Sequence, residues 1–361
     1  MREFLLHLKR MDWVLAVSAV LLVLIGLLFI FNSSNGLLNF KKQIIFFIIG
    51  LFLMLLFSFV DYRIFRENCY LILLIYLLSI LALSGLFLFA PEIRGTKAWY
   101  KIFSISIDPI EFTKIALIIL LAKYFSMRHV EMYSFKHIIF SGIYILIPSL
   151  LAFFQPNLGS VLILLSIWII VLFISGIKIK QFSSLMMLFI LILSLGWSFF
   201  LHDYQKDRIS SFLFPDSNLL SMGWSQNQSK IAIGSGEILG KGIGNGSQSH
   251  YGFLPEAHTD FIFASIAEET GFVGVSILFL IYIVLINRLL NICSKSSSNF
   301  PRLLVVGFAA LLVVQIFINV GMNLGILPVI GISLPFVSYG GSGLIALFLG
   351  LGIIESVVVH S

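Results

Sequence analysis

The sequence carries little charge: Asp, Glu, Lys and Arg make up 11% of its 361 residues against 59% hydrophobic ones, and mean hydropathy is +1.05. So few charges cannot cover soluble domains, and with 36 Phe the chain would expose too much apolar area to water. A soluble enzyme and a disordered scaffold are therefore excluded. Cysteine is nearly absent. Cys69 and Cys293 each flank an apolar run and make neither a disulfide framework nor a metal site. A basic stripe is missing too: the net charge of +6 comes from 23 Lys and Arg scattered between apolar runs, as topology-setting loop charges are, and not from a nucleic-acid-binding face. No alternation of apolar and polar residues marks a transmembrane barrel. No Walker or dinucleotide fingerprint occurs either, since Gly240-Lys241-Gly242-Ile243-Gly244 follows no strand pattern.

What the sequence does have is long apolar runs. A helix needs about 20 mostly apolar residues to cross the hydrocarbon core. The runs predict an all-α polytopic membrane protein with about ten transmembrane helices, near 12–32, 43–60, 70–90, 112–125, 138–154, 158–175, 183–201, 261–287, 303–324 and 341–359. The first run follows Lys9, Arg10 and Asp12 without a small-residue cleavage site, so it reads as a retained span and not as a signal peptide. With the N-terminus inside, twelve Lys and Arg fall on inside segments and five on short outside loops, which sets both termini in the cytoplasm. The chain then reads as a single membrane domain, 1–361, with a large extracytoplasmic loop, 202–260, between helices 7 and 8. The fourth span holds Lys114 and Lys123 and follows Glu111, which suits a short or buried helix.

In so apolar a chain, the informative residues are ionisable ones beside or within spans, and long polar loops. The loop 202–260 holds a glycine run from Gly234 to Gly246 and ends in His258-Thr259-Asp260. Its glycines suit tight turns, or a backbone that approaches a phosphate or sugar. Its apolar residues, Ile231, Ile233, Ile238, Leu239, Phe253 and Leu254, argue that it packs on the bundle. Asp260 stands where the loop becomes an apolar helix, a place for an N-cap or for a partly desolvated general base. Glu268 and Glu269, two turns further on, should face a polar interior or a cation, because exposing each to lipid costs about 2.5 kcal/mol or more. Glu111 and Lys114, three apart, share a helix face. They read as a structural ion pair, or as a lysine that holds a phosphate with the glutamate positioning it.

These stretches together resemble the SEDS family of shape, elongation, division and sporulation proteins. The resemblance is carried by Gly234-Ser235-Gly236, Gly240-Lys241-Gly242, the segment LPEAHTDFIF from Leu254 to Phe263, Ala267-Glu268-Glu269 and Gly271. It continues through Asn319, Gly321, Met322, Gly325 and Leu327-Pro328 to Val337-Ser338-Tyr339-Gly340-Gly341-Ser342. It also includes Arg94 with Trp99, Glu111 with Lys114, and Gln155-Pro156 with Leu158-Gly159. The run Gly240-Lys241-Gly242 and the approach to Leu254 containing Gln248 are more similar to the elongation branch than to the division branch. Two departures stand out. Relatives commonly read Gln-Pro-Asp-Leu-Gly where this chain has Asn157, and Gln-Pro-Ser-Glu where it reads Asp108-Pro109-Ile110-Glu111.

The resemblance implies a bacterial cytoplasmic (inner) membrane glycosyltransferase that polymerises lipid II into peptidoglycan at the outer face during elongation and rod-shape maintenance. It maps the family's essential aspartate onto Asp260 and its paired residues onto Glu111 and Lys114, with His258, Thr259, Glu268, Glu269, Ser338 and Gly340 in supporting motifs. An α-linked pyrophosphate giving a β-linked glycan requires inversion, with a base for the attacking hydroxyl and positive charge on the leaving group. Asp260 is the expected base. Arg94, Lys101, Lys114, Arg208 and Lys241 are candidates for the pyrophosphate, as is a divalent cation, Mg2+ or Mn2+, held by a carboxylate. No organic cofactor is expected. The implied partners are the nascent glycan strand, other elongation-complex proteins and a class B penicillin-binding protein, whose Ser-x-x-Lys and Lys-Thr-Gly motifs this chain lacks outside the membrane. Small or aromatic residues on spans eight and nine, such as Gly307, Ala309 and Ala310, are the expected lipid-embedded contact for the anchor helix of that partner, and the loop 202–260 is expected to close over bound sugars. The rival readings are a lipid II flippase, a division-type polymerase and a scaffold for a transpeptidase. The concentration of motifs in outside segments disfavours the flippase.

Overall fold

Apolar runs in a membrane must satisfy their backbone polar groups internally, and the helix is the local way to do so. The computed structural model describes residues 2–32, 36–92, 96–102, 105–127, 135–187 and 222–360. Its helices are α1 (Arg2–Arg10), α2 (Trp13–Phe31), α3 (Gly36–Phe59), α4 (Arg63–Glu67), α5 (Cys69–Phe89), α6 (Pro109–Met127), α7 (Phe135–Phe154), α8 (Leu158–Ile174), α9 (Met222–Ser235), α10 (Ser247–His250), α11 (Ile262–Lys295), α12 (Asn299–Leu324) and α13 (Gly341–His360). A two-stranded antiparallel hairpin, β1 (Tyr100–Ile102) and β2 (Ile105–Ile107), pairs Tyr100 with Ile107 and Lys101 with Ser106. Among the described residues, seven helices are long and apolar enough to cross a membrane: α2, α3, α5, α7, α11, α12 and α13. The chain is a multi-pass membrane protein. Each expected span coincides with a helix except 183–201, which falls mostly outside the described residues, as does 202–221 of the expected loop.

Charge explains why α6 stands apart. Carrying Glu111, Lys114 and Lys123, it is buried from Thr113 to Ala122. It packs on α5, α12 and α13, which shield it from lipid. The helices α12 and α13 are the other interior elements, and α13 lies along α3. Gly352 permits that contact, since a Cβ there would meet the Met54 carbonyl oxygen at 2.6 Å.

The expected partner contact at Gly307, Ala309 and Ala310 is corrected by this packing. All three are buried, and a Cβ at Gly307 would press on Ile118 of α6 at 2.7 Å. Small residues here bring helices of this chain together and are not available to a partner. The exposed faces of α11 and α12 instead carry large residues, Phe272, Ile277, Leu280 and Ile283 on one and Val313 and Phe317 on the other.

Opposite ends of the bundle differ in chemistry. At one end Arg288 Nε meets Asp12 Oδ2 at 2.5 Å, the Asp12 amide donates to Glu355 at 2.9 Å, and Arg63 donates to the His360 carbonyl at 2.7 Å. The other end collects the starts of α6, α11 and α13 and the end of α12 around a cavity.

Candidate active site

A cavity of about 460 Å³ opens at that end. Its ionisable lining residues are Lys42, Asp108, Glu111, Lys114, Glu256 and Asp260. Trp99, Asn157, Thr259, Gln315, Tyr339 and Gly340 add aromatic and polar surface.

Asp260 arrives in a turn held from behind by amides of α12. Asn319 and Asn323 each donate to its carbonyl oxygen at 3.0 Å. Ser338 donates to the Thr259 carbonyl at 2.6 Å, and the Tyr339 amide donates to that of His258 at 2.9 Å. The N-cap position of α11 is Phe261, one residue beyond Asp260, so Asp260 is not the N-cap residue. That carboxylate lies toward Gly331, where a Cβ would stand 3.5 Å from Oδ2. Gln43 in turn fixes the following segment, donating to the Ser338 carbonyl at 3.2 Å and accepting from the Gly340 amide at 3.3 Å.

The facing wall is the head of α6. Pro109 suits a first helical turn because its missing N–H is one the helix leaves unpaired anyway. Glu111 follows in that turn, where a carboxylate complements the helix dipole. Lys114 Nζ lies 2.6 Å from Glu111 Oε1, with side chains only 2% and 16% exposed. Asp108, just before the helix, donates its amide to Ser342 at 2.8 Å and accepts from Ile110 at 3.1 Å. Burial, then the charge of Glu111, pushes its carboxyl up to about 7, against Lys114 and the Ile110 amide. The hairpin beneath is pinned by the Tyr100 hydroxyl on the Ala82 carbonyl at 2.7 Å. Asn157 caps α8 by accepting from the Ser160 amide at 3.2 Å.

Several expected site residues lie elsewhere. Lys241 does not line the cavity; it meets Glu268 at 2.9 Å. Glu268, fully buried, also accepts from the amides of Gln248 and Ser249, and Glu269 accepts from the Gly244 amide at 2.7 Å. Both glutamates thus face inward, toward the glycine run and not the cavity. The run docks where α11 breaks at Gly271 (φ 64°, ψ −163°), and the amides of Phe272 and Val273 donate back to Glu237 and Ile238. Lys101 is exposed on β1, and His258 and Ser338 position backbone without lining the cavity. Arg94 and Arg208 lie outside the described residues.

Sequence reasoning missed Lys42, Asp108, Glu256 and Gln315 as lining residues, and Asn319 and Asn323 as the supports of Asp260. Polar residues on an otherwise apolar run were the available signal for Gln315, Asn319 and Asn323, which recur every fourth residue of α12. Among the described residues no three His, Cys, Asp or Glu side chains converge as a metal site.

Residues 11–361 match the FtsW/RodA/SpoVE family, described as cell cycle protein. The chain is 40% identical over 286 residues to the peptidoglycan glycosyltransferase MrdB of Escherichia coli, covering 79% of this chain and 77% of that one. It is 31% identical over 373 residues to the stage V sporulation protein E of Bacillus subtilis, 97% of each. Among solved structures it is similar to a chain of a peptidoglycan synthase complex, described for its structural coordination of polymerization and crosslinking. That match has TM-score 0.83 and 29% identity, covering 96% of this chain and 97% of that one. It is similar also to the rod shape determining protein RodA of Thermus thermophilus, with TM-score 0.70 and 27% identity over 96% of each.

Proposed function

The chain belongs to the FtsW/RodA/SpoVE family, and from that premise we propose that it is a peptidoglycan glycosyltransferase of the elongation type, polymerising lipid II with Asp260 as general base. The observation that carries this reading is that one cavity brings Asp260 and the Glu111–Lys114 pair together from segments far apart in sequence.

Asp260 accepts the proton of the attacking 4-hydroxyl as that oxygen bonds to the anomeric carbon of the donor sugar. The bond from that carbon to the pyrophosphate breaks on the opposite face, which inverts the centre, and polyprenyl pyrophosphate departs. Amides of Asn319 and Asn323 hold the backbone of Asp260 and so keep the residue in place at the cavity, which is what a base needs. Lys114 and Lys42, the lysines among the described lining residues, supply positive charge to the leaving group. A divalent cation held by one of the lining carboxylates would supply the same charge to the pyrophosphate.

The membrane in question is the bacterial cytoplasmic membrane. The end with Asp12, Arg288 and His360 and both termini lie inside, and the cavity lies at the outer face. The resemblance to a synthase complex supports a class B penicillin-binding protein as partner. Its anchor helix would pack on the exposed apolar faces of α11 and α12.

Purified chain given lipid II should form glycan strands, and Asp260→Asn should reduce the rate by about 100-fold or more, the lower end of a general base's contribution. An unchanged thermal melt would show that Asp260→Asn stays folded. An active Asp260→Asn chain would remove the base, and lipid movement in sealed vesicles without polymer would favour a flippase.

A further inference from the structure

Three amides stand on one face of α12, Gln315, Asn319 and Asn323, and all are buried. Two are committed to the chain itself. Asn319 donates to the carbonyls of Asp260 and Ile332 at 3.0 and 2.7 Å, and Asn323 to those of Asp260 and Asn319 at 3.0 and 2.8 Å. Gln315 differs. It is 2% exposed, it lines the cavity, and its Oε1 has no hydrogen-bond partner among the described residues. Folded interiors seldom leave a buried polar atom unpaired, because the group loses its water and gains nothing in exchange. At a cavity wall, a bound ligand can supply the missing partner.

The chemistry of the side chain defines that partner. Oε1 only accepts, so the ligand atom must carry N–H or O–H, and pyrophosphate oxygens, acceptors themselves, do not serve. The NH2 on the same carbon only donates. A secondary amide offers one N–H and one C=O side by side, and it answers both groups in either rotation of the soft terminal torsion of Gln315. Position narrows the choice further. Four residues of helix place Gln315 about 6 Å along the axis from Asn319, which holds Asp260. That is comparable to the span of one pyranose ring from its 4-hydroxyl to the substituent on carbon 2. Ile163, Ile330 and Ile332 line the same cavity and offer apolar surface to a methyl group.

Resting on the glycosyltransferase reading of this site, we infer that Gln315 is a specificity-determining residue that reads the 2-acetamido group of the sugar whose 4-hydroxyl meets Asp260.

The test uses the purified full chain and two lipid-linked acceptors. One is the natural N-acetylated sugar; the other has a 2-O-acetyl group in place of the acetamide, which keeps the carbonyl and methyl but has no N–H. The native chain should prefer the acetamido acceptor by about ten-fold in kcat/KM, the worth of one hydrogen bond. Gln315→Met, nearly isosteric and without amide groups, should lose about ten-fold with the natural acceptor and erase most of the preference. A purely structural role would slow both acceptors equally and preserve their ratio, which would overturn the inference. So would a native chain that shows no preference, a comparison that needs no variant to fold. If the native chain polymerises neither acceptor, the glycosyltransferase reading itself fails. Equilibrium binding of the two acceptors, followed by fluorescence of Trp99 in the cavity wall, then still decides the role of Gln315: equal affinities overturn it.

Discussion

Lys114 is buried with its ammonium 2.6 Å from Glu111, and removing either partner leaves a charge with poor access to water. Each single change, Glu111→Gln or Lys114→Met, should destabilise the protein by about 3–5 kcal/mol, and the double change by clearly less than their sum. Melting curves of the four proteins of that cycle measure the coupling; simple additivity would mean that the two charges do not act as a unit. Asp108 calls for a different measurement. Its carboxyl, normally near 3.8, is pushed up to about 7 by burial and by Glu111. An acid that holds its proton more tightly when folded adds stability that is complete below its unfolded value and is lost as pH rises through its folded one. Stability of the native chain should therefore decline from about pH 4 to about pH 7, and Asp108→Asn should flatten that decline. An equally steep decline in the variant would assign the pH dependence to other groups. Asp108 was visible in the sequence only as an altered flank of Glu111, because nothing local says that β2 turns it toward the cavity.

At the scale of elements, the glycine run is a docked segment fastened by Glu268 and Glu269 into the break of α11. Gly240 sits at φ +78°, and a Cβ there would meet the Glu269 carbonyl oxygen at 2.2 Å, a backbone atom that cannot step aside. Gly234, within α9, has open space where its Cβ would be. Gly240→Ala should accordingly lower the melting temperature and activity together. Gly234→Ala should be neutral or stabilising by up to about 1 kcal/mol, the ordinary gain from replacing a helical glycine. Thermal melts of both variants check this. Equal behaviour would mean that the run is not tightly docked. Residues 236–249 are held by buried carboxylates and by backbone bonds to α11, so these glycines serve close approach.

For the whole molecule, burial decides which surfaces can meet a partner. On α11, Val273, Ile277, Leu280 and Val284 recur at helical spacing and are exposed. Tryptophan at Ile277 or Leu280 should block docking of an anchor helix while leaving polymerisation by the chain alone unchanged. The measurement is the rate with and without the transpeptidase partner, and stimulation that survives both substitutions would place its contact elsewhere.

Much of the architecture needed nothing beyond the sequence. Apolar runs of membrane-spanning length force helices wherever they occur, and the charges on α6 mark it for the interior because lipid cannot solvate them. Asp260, Glu111 and Lys114 were legible because ionisable residues at membrane depth are costly enough to need a reason. Which of these groups face one another was not legible. Lys241 and Glu268, far from Glu111 in sequence but beside Asp260, turn away into a salt bridge of their own, whereas Glu111 and Lys114 cross the fold to share the cavity of Asp260. Short-range periodicity reports which side of its own helix a residue occupies. Only the packing of α6, α11, α12 and α13 on one another determines what lies opposite, and therefore that Gln315, one polar residue on an apolar helix, stands at the cavity wall with its amide oxygen unpaired.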